Sequence, residues 1–520
     1  MKKLSLHSVL HRSFKVFTTG MAILCLSCGC SSEVRIPDTY TQVKEKASLY
    51  PDYTDITIPV NIAPLNFRVQ DKTATNFILR LQGEPGFLKA SADANGTIEI
   101  DSIVWRRLLQ QNAGKTLQAS LYALRPSGWI KYQDYTLKVA AEPIDAYLSY
   151  RLIEPGYELY RQLGLYQRNL TNFNVTTLYE NNRVYDSDNN HCVNCHNYQH
   201  YDANRMLFHI RGNHGGTLIA RDGKIEKIQI KHDSILTAGV YPSWHPHLPL
   251  VAFSTNKTGQ AFHMKHPEKI EVLDEASDLL LYDTEQRTVQ TILRGNDALE
   301  TFPCWSPTGD MLYYCSAFPP TMHSIPDSMR TRYLLENYTQ LKYNIMRLSF
   351  DTKSRSFGKP ETVINSAAEG QSASVPRISP DGRWLLFTQG DYGQFHIWHK
   401  SADLWVKDLQ TDQPPYPLTA VNSADADSYH TWSSNGRWIV FASRRDDGNY
   451  TRIYLAYFDT KGQGHKAFLL PQADPEQNTV LLKSYNVPEL TRNAVPCSYR
   501  TIRQTVYNDK GTPIRFLDRK

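Results

Sequence analysis

Apolar positions in this chain come in short runs separated by turn residues, which is the pattern of strands rather than long helices. Between residues 49 and 145, the runs 55–62, 76–81, 97–100 and 116–122 have strand composition, and Glu84-Pro85-Gly86 and Asn95-Gly96 are turn signals between them. Residues 103–111 read as one short helix. A small β-sandwich-like domain is therefore expected over 49–145. Residues 146–196 form a connector dense in Tyr and Arg, including Tyr147, Tyr150, Arg151, Tyr166 and Arg168. Such side chains pack flat rings and hold carboxylates, although a helix lodged between domains would use them equally.

From residue 197 to 475 the pattern repeats. Four segments share Pro-x-(apolar)-(Ser/His)-Pro-x-Gly followed by a strand ending in an aromatic. They begin at Tyr241-Pro242, Phe302-Pro303, Val375-Pro376 and Tyr429-His430, and run to Phe253, Tyr314, Phe387 and Phe441. In the last, His430 and Ser434 replace the two prolines, and the first lacks the turn glycine. Pro fixes φ and Gly accepts φ > 0, so Ser379-Pro380-Asp381-Gly382 predicts a tight turn between two hairpin strands. A further strand follows each hairpin, which suits a four-stranded antiparallel blade. The segments lie further apart than the roughly 40–50 residues of a compact propeller repeat, which points to insertions at 256–274 and 318–341. Residues 197–208 match weakly, with Phe208 in the place of Phe387 and Asp202 in that of Asp381. In that alignment His196 takes the place of Tyr241, Phe302, Val375 and Tyr429.

These segments resemble the TolB-type, WD40-like (PD40) β-propeller repeat, most closely at Ser379-Pro380-Asp381-Gly382-Arg383. The resemblance covers about residues 197–471 and implies a fold rather than a chemistry. The expected architecture is all-β, a β-sandwich-like domain followed by a TolB-like propeller of five to six blades, six favoured. The sixth blade is expected from residues 472–520 or from the connector, and 476–520 forms a C-terminal segment.

The first thirty residues follow a different logic. Lys2, Lys3, Arg12 and Lys15 precede a short apolar stretch and then Cys28 and Cys30. This resembles a lipoprotein signal peptide over residues 1–30, lipidated at Cys30 (alternative Cys28), with 31–48 as a tether. It implies export to the cell envelope, with the protein held to a membrane and facing the periplasm or the outer surface. Net charge is only +5 over 520 residues, without a basic cluster, so nucleic acid is not an expected partner.

Export leaves five mature cysteines, Cys192, Cys195, Cys304, Cys315 and Cys497, too few for a disulfide scaffold. Cys192-Val193-Asn194-Cys195-His196 matches the c-type haem attachment motif. Two thiols three apart reach the vinyl groups on one edge of the porphyrin, and the adjacent imidazole reaches iron as proximal ligand. The resemblance to cytochromes c implies one covalent haem c on Cys192, Cys195 and His196. The register of His196 with the starts of the other inner strands places that haem near the mouth of the propeller channel. A zinc site completed by His191, His196 or His200, a disulfide between Cys192 and Cys195, and a relic motif are the alternatives. His214 and then His209 are the candidate distal ligands, with His200 and Met206 nearby. His245, His247, His263 and His266 form local His-rich stretches, more simply read as loop residues. Cys304 and Cys315 flank one hairpin, as a cross-strand disulfide would. The expected function is electron transfer or another redox role with a protein partner in the envelope. A non-redox propeller scaffold and a haem enzyme acting at the propeller mouth are the alternatives.

Overall fold

The repeated turn forms as its residues require. Ser379 Oγ donates to Asp381 Oδ1 (2.5 Å) and accepts the Trp384 N–H (2.9 Å), while Gly382 adopts φ 75°. The flanking strands Ser372–Ile378 and Trp384–Gly390 pair antiparallel, and Asp403–Asp408 and Tyr416–Pro417 complete a four-stranded blade. Ser433 closes the corresponding turn of the next blade through Asn435 Oδ1 and the Trp438 N–H. The turn lacking glycine is closed differently. His245 Nδ1 accepts the N–H groups of His247 and Leu248, and its other nitrogen donates to the Gly309 carbonyl. His245 is thus a buried turn-closing group rather than a loop surface residue.

The computed structural model describes residues 34–154, 162–181, 191–262, 266, 268, 270–294, 298–319 and 322–517. Cys28, Cys30, the rest of the leader, His263 and parts of the connector lie outside them. Within Met1–Arg35 the described residues form no helix or strand; Ile36–Lys520 is a single compact unit.

The described residues of that unit form six blades. Blade one runs His191–Gln199, Asp202–Gly212, Gly216–Arg221 and Lys224–Gln229, the last two joined by Asp222-Gly223 with both φ positive, the two-residue turn that suits a hairpin. Blades two to five begin with the inner strands Val240–Trp244, Leu299–Trp305, Ser372–Ile378 and Asp427–Trp432. Blade six is assembled from both ends of the propeller: its inner strand is Ser484–Thr491, and Tyr147–Ile153, Gly164–Asn169 and Val175–Glu180 follow outward. Each inner strand touches the next, and the sixth returns to the first, so the ring is closed. The connector and the C-terminal segment therefore complete the propeller together. Closure by strands distant in sequence completes the ring, and radial stacking leaves the inner strands as short, protected edges around the channel.

The segment after blade six covers other edges. Helix Tyr499–Asn508 packs against blades six and one, Thr512–Pro513 pairs with Lys224–Gln229, and Arg515–Phe516 pairs with Thr288–Leu293. In the first insertion, Leu250–Phe262 and Ile270–Asp283 form one long hairpin; in the second, helix Asp327–Asn337 packs against that hairpin.

The N-terminal part is a seven-stranded sheet and a three-stranded sheet around a buried core. Helix Ser102–Gln111 is capped by Asp101, whose carboxylate accepts the N–H groups of Ile103 and Val104, and it buries Trp105, Leu108 and Leu109. Thr41–Lys46, within the segment expected as a tether, is an edge strand pairing parallel with Gly128–Gln133. The core of this domain continues into blade five through Trp438, Val440, Ile453 and Leu455. Among the described residues no helix is long and apolar enough to cross a membrane.

Candidate functional site

All six inner strands carry the same irregularity. Each holds one extra residue relative to its partner strand, at Cys195-His196, Tyr241-Pro242, Phe302-Pro303, Val375-Pro376, Tyr429-His430 and Val487-Pro488. The first residue of each pair takes a left-handed φ, between 47° and 52°. This is the geometry of a β-bulge, costly for residues other than glycine. The repeated cost is offset by what the bulge achieves: it turns one side chain per blade toward the axis, as where the Tyr241 and Phe302 rings meet at 4.2 Å. Four of the six second residues are proline, which has no N–H to lose from the ladder at a bulge.

The bulge register corrects one expectation. Cys195, not His196, is the counterpart of Tyr241, Phe302, Val375 and Tyr429, and His196 stands where the others have Pro242, Pro303, Pro376 and His430. Gapless alignment slips because the hairpin of blade one, between the paired residues Asn194 and His209, is one residue longer than that between Ser374 and Thr388. The sequence already contained the sixth member of the set, Val487-Pro488. No Pro-x-Gly turn follows it, which is why the repeat was not visible there.

These bulges surround a cavity of about 170 Å³ on the channel axis, bordered by Cys195, His196, Tyr241, Phe302, Val375 and Tyr429, with the first-insertion hairpin and Phe395 and Trp398 of blade four also lining it. His196 is 4% exposed. Its Nε2 has no hydrogen-bond partner and lies 3.9 Å from Glu489 Oε2, too far for a hydrogen bond. Burial, reinforced by the Arg151 charge, lowers the His196 pKa to about 3, so the ring is neutral. Burial also raises the Glu489 pKa to about 8, although Asn197 Nδ2 (2.9 Å) and the Tyr198 N–H (3.2 Å) both donate to its carboxylate. At pH 7 the two groups face each other uncharged.

The haem motif fits this setting in part. A neutral imidazole with an unpartnered Nε2 is the form that binds iron, and Cys195 borders the same cavity. Cys192 lies on the same strand face as Asn194, as the two-residue period requires. Asn194 lines the cavity and donates to Cys192 Sγ at 3.1 Å, so its carboxamide stands against that thiol. Cys192 itself is buried and does not border the cavity, and burial raises its pKa. Cys192, Cys195, Cys304, Cys315 and Cys497 are all free thiols. Cys304 and Cys315 are not directly opposed; their cross-strand partners are Tyr313 and Thr301.

The other candidates do not converge on this point. His209 is buried on the second strand of blade one, its Nδ1 3.2 Å from Thr217 Oγ1, and His214 packs on the Tyr507 ring at 4.4 Å. Met206 belongs to the blade-one core, and His200 lies in the turn after the inner strand. None of the four borders the cavity. His191 Nε2 meets Tyr179 Oη at 2.5 Å, and no cluster of three or more His, Cys, Asp or Glu residues suited to a metal occurs among the described residues.

Arg151, Arg211 and Arg377 also border the cavity, from blades six, one and four. Arg151 belongs to the connector, whose Arg content was already notable. Arg211 and Arg377 carry no sequence signal of their own; only blade closure brings them to the axis.

No protein-family model matches the chain, and no curated protein matches it. Solved structures with a similar fold include TolB from Acinetobacter baumannii (14% identity, 75% of this chain and 85% of that one, TM-score 0.40). Others are a chain of the nidogen/laminin complex (5%, 65% and 97%, TM-score 0.37) and prolyl oligopeptidase B from Galerina marginata (10%, 67% and 42%, TM-score 0.34). The chain is an all-β protein with a six-bladed propeller, by its own strand pairing and ring closure.

Proposed function

We propose that this is an exported, lipid-anchored envelope protein that carries one haem c at the propeller axis and serves a redox partner. The lipid anchor is Cys30, with Cys28 as the alternative. The observation that carries the proposal is the buried, neutral and unpartnered His196 imidazole, facing the channel beside Cys195 within a Cys-x-x-Cys-His motif. Cys192 and Cys195 would hold the group covalently and His196 its iron, and the group would supply one-electron transfer. The protein's own contribution is an aromatic rim of Tyr241, Phe302 and Tyr429, against which one face of the group would pack. Engaging Cys192 requires the Asn194 carboxamide to swing off its sulfur.

The buried Cys192 thiol favours a second reading, a non-redox propeller that binds a small ligand in the channel. The two separate on a visible spectrum of protein made in a host with c-type maturation, followed by a haem stain after denaturing electrophoresis. A covalent Soret-absorbing band, lost in Cys192→Ala/Cys195→Ala, supports the haem. Colourless protein from a competent host leaves the binding propeller.

A further inference from the structure

The channel cavity holds several unpartnered polar atoms and, among the described residues, three guanidinium groups with no facing carboxylate. Arg151 Nε, Trp398 Nε1, His196 Nε2 and both side-chain atoms of Asn486 are buried without partners, and all four residues line it. Buried polar groups are normally satisfied, so an unpartnered set converging on one cavity marks a place built for a polar occupant. Its sign follows from the charges. Among the described residues, Arg151, Arg211 and Arg377 have no carboxylate within 4 Å, and the one acid on the cavity wall, Glu154, is engaged by Lys483 at 2.7 Å. Among the described residues, Arg151 and Arg377 each spend one nitrogen on neighbouring oxygens. The nearest further acid, Glu489, already accepts two hydrogen bonds.

We infer that this cavity is a carboxylate-binding site, with Arg151, Arg211 and Arg377 holding the anion and the Trp398 and Asn486 N–H groups orienting it. Guanidinium is the side chain best matched to carboxylate geometry. At about 170 Å³, the space is smaller than the ~300–1,000 Å³ of sites that take a drug-sized ligand. It therefore takes a small di- or tricarboxylate whole, or the acidic edge of a larger ring whose body lies in the opening. The site goes beyond the haem proposal and does not need it, since both a free metabolite acid and porphyrin propionates present the same carboxylates.

The test uses the full-length protein with Cys192→Ala/Cys195→Ala, which cannot attach haem, titrated with succinate, iron-free protoporphyrin IX and protoporphyrin dimethyl ester. Succinate or the porphyrin diacid is expected to bind and to weaken at least tenfold in Arg377→Gln and in Arg211→Gln. Arg211 is exposed, so its substitution leaves folding intact, which thermal unfolding verifies. Succinate binding assigns the site to a free small acid. Binding of the diacid, with neither succinate nor the ester binding, assigns it to propionates. Absence of binding by both acids, equal binding of diacid and ester, or affinities unmoved by both Arg changes overturns the inference. A positive haem stain alongside such a result leaves the haem proposal standing, and a negative stain with Arg-dependent succinate binding does the reverse.

Discussion

His196 in blade one and His430 in blade five occupy the same place in the fold, the second residue of the inner-strand bulge, where the other four blades have proline. Both are buried, and burial lowers both pKa values to about 3. They differ in their neighbours. His430 Nε2 donates to the Leu386 carbonyl at 3.2 Å, and its Nδ1 faces Thr388 Oγ1 at 3.4 Å, so blade four satisfies the whole ring. The His196 ring has an open Nε2 and a cavity before it. Equal residues at equal positions are thus a cross-blade strut in one case and an open chemical handle on the cavity in the other. A buried imidazole is informative about function only once its partners are counted.

The comparison breaks most readily on stability. His430→Ala removes a buried ring and strands the Leu386 carbonyl, and should cost about 2–4 kcal/mol in a urea titration. His196→Ala also removes a buried ring but strands no partner, so it should cost less than His430→Ala, while on the haem proposal it abolishes the haem spectrum. The reverse order would mean that His196 is the strut.

A smaller effect separates the channel wall from the channel itself. Asp274, in the hairpin of blade two, is fully buried, its Oδ2 accepting from Asn256 (2.8 Å) and Gln394 (3.0 Å). Burial raises its pKa to about 7. A raised folded-state value favours the protonated form, so its contribution to stability is complete below about pH 4 and is lost as pH rises through 7. Asp274→Asn should therefore gain about 1–3 kcal/mol over the native protein at pH 8.5 and little at pH 4, read from urea midpoints at both values. Glu300, also raised to about 7 by burial and by Asp278, would keep part of the native slope.

The smallest effect concerns how hairpins close. Gly382 has φ 75° and open space where a side chain would stand, so Gly382→Ala pays only the backbone term, about 1 kcal/mol. Blade two has no such glycine, and His245 bonds both turn N–H groups instead. His245→Ala should then cost more than Gly382→Ala in thermal unfolding, since it leaves those groups without an acceptor.

Much of this was legible locally. The Ser-Pro-Asp-Gly turn, the hairpin at Asp222-Gly223 and the helix from Ser102 depend on residues a few positions apart, and the structure forms each of them. Blade six was not legible as a unit, because its inner strand, Ser484–Thr491, comes from the far end of the chain from its other three strands. The one-residue slip at Cys195-His196 has a related origin: the register of a strand is set by its partner, and a single bulge shifts every later position.

By itself, then, the sequence determined the all-β class, the repeated blade, and the association of Cys192, Cys195 and His196 within one motif, since each is written in neighbouring residues. Tertiary structure alone decided that six bulges meet on one axis, that Arg151, Arg211 and Arg377 share a cavity, and that His196 is left open while His430 is not. Those outcomes depend on which strands pair across hundreds of residues, and ring closure, not local propensity, selects that pairing.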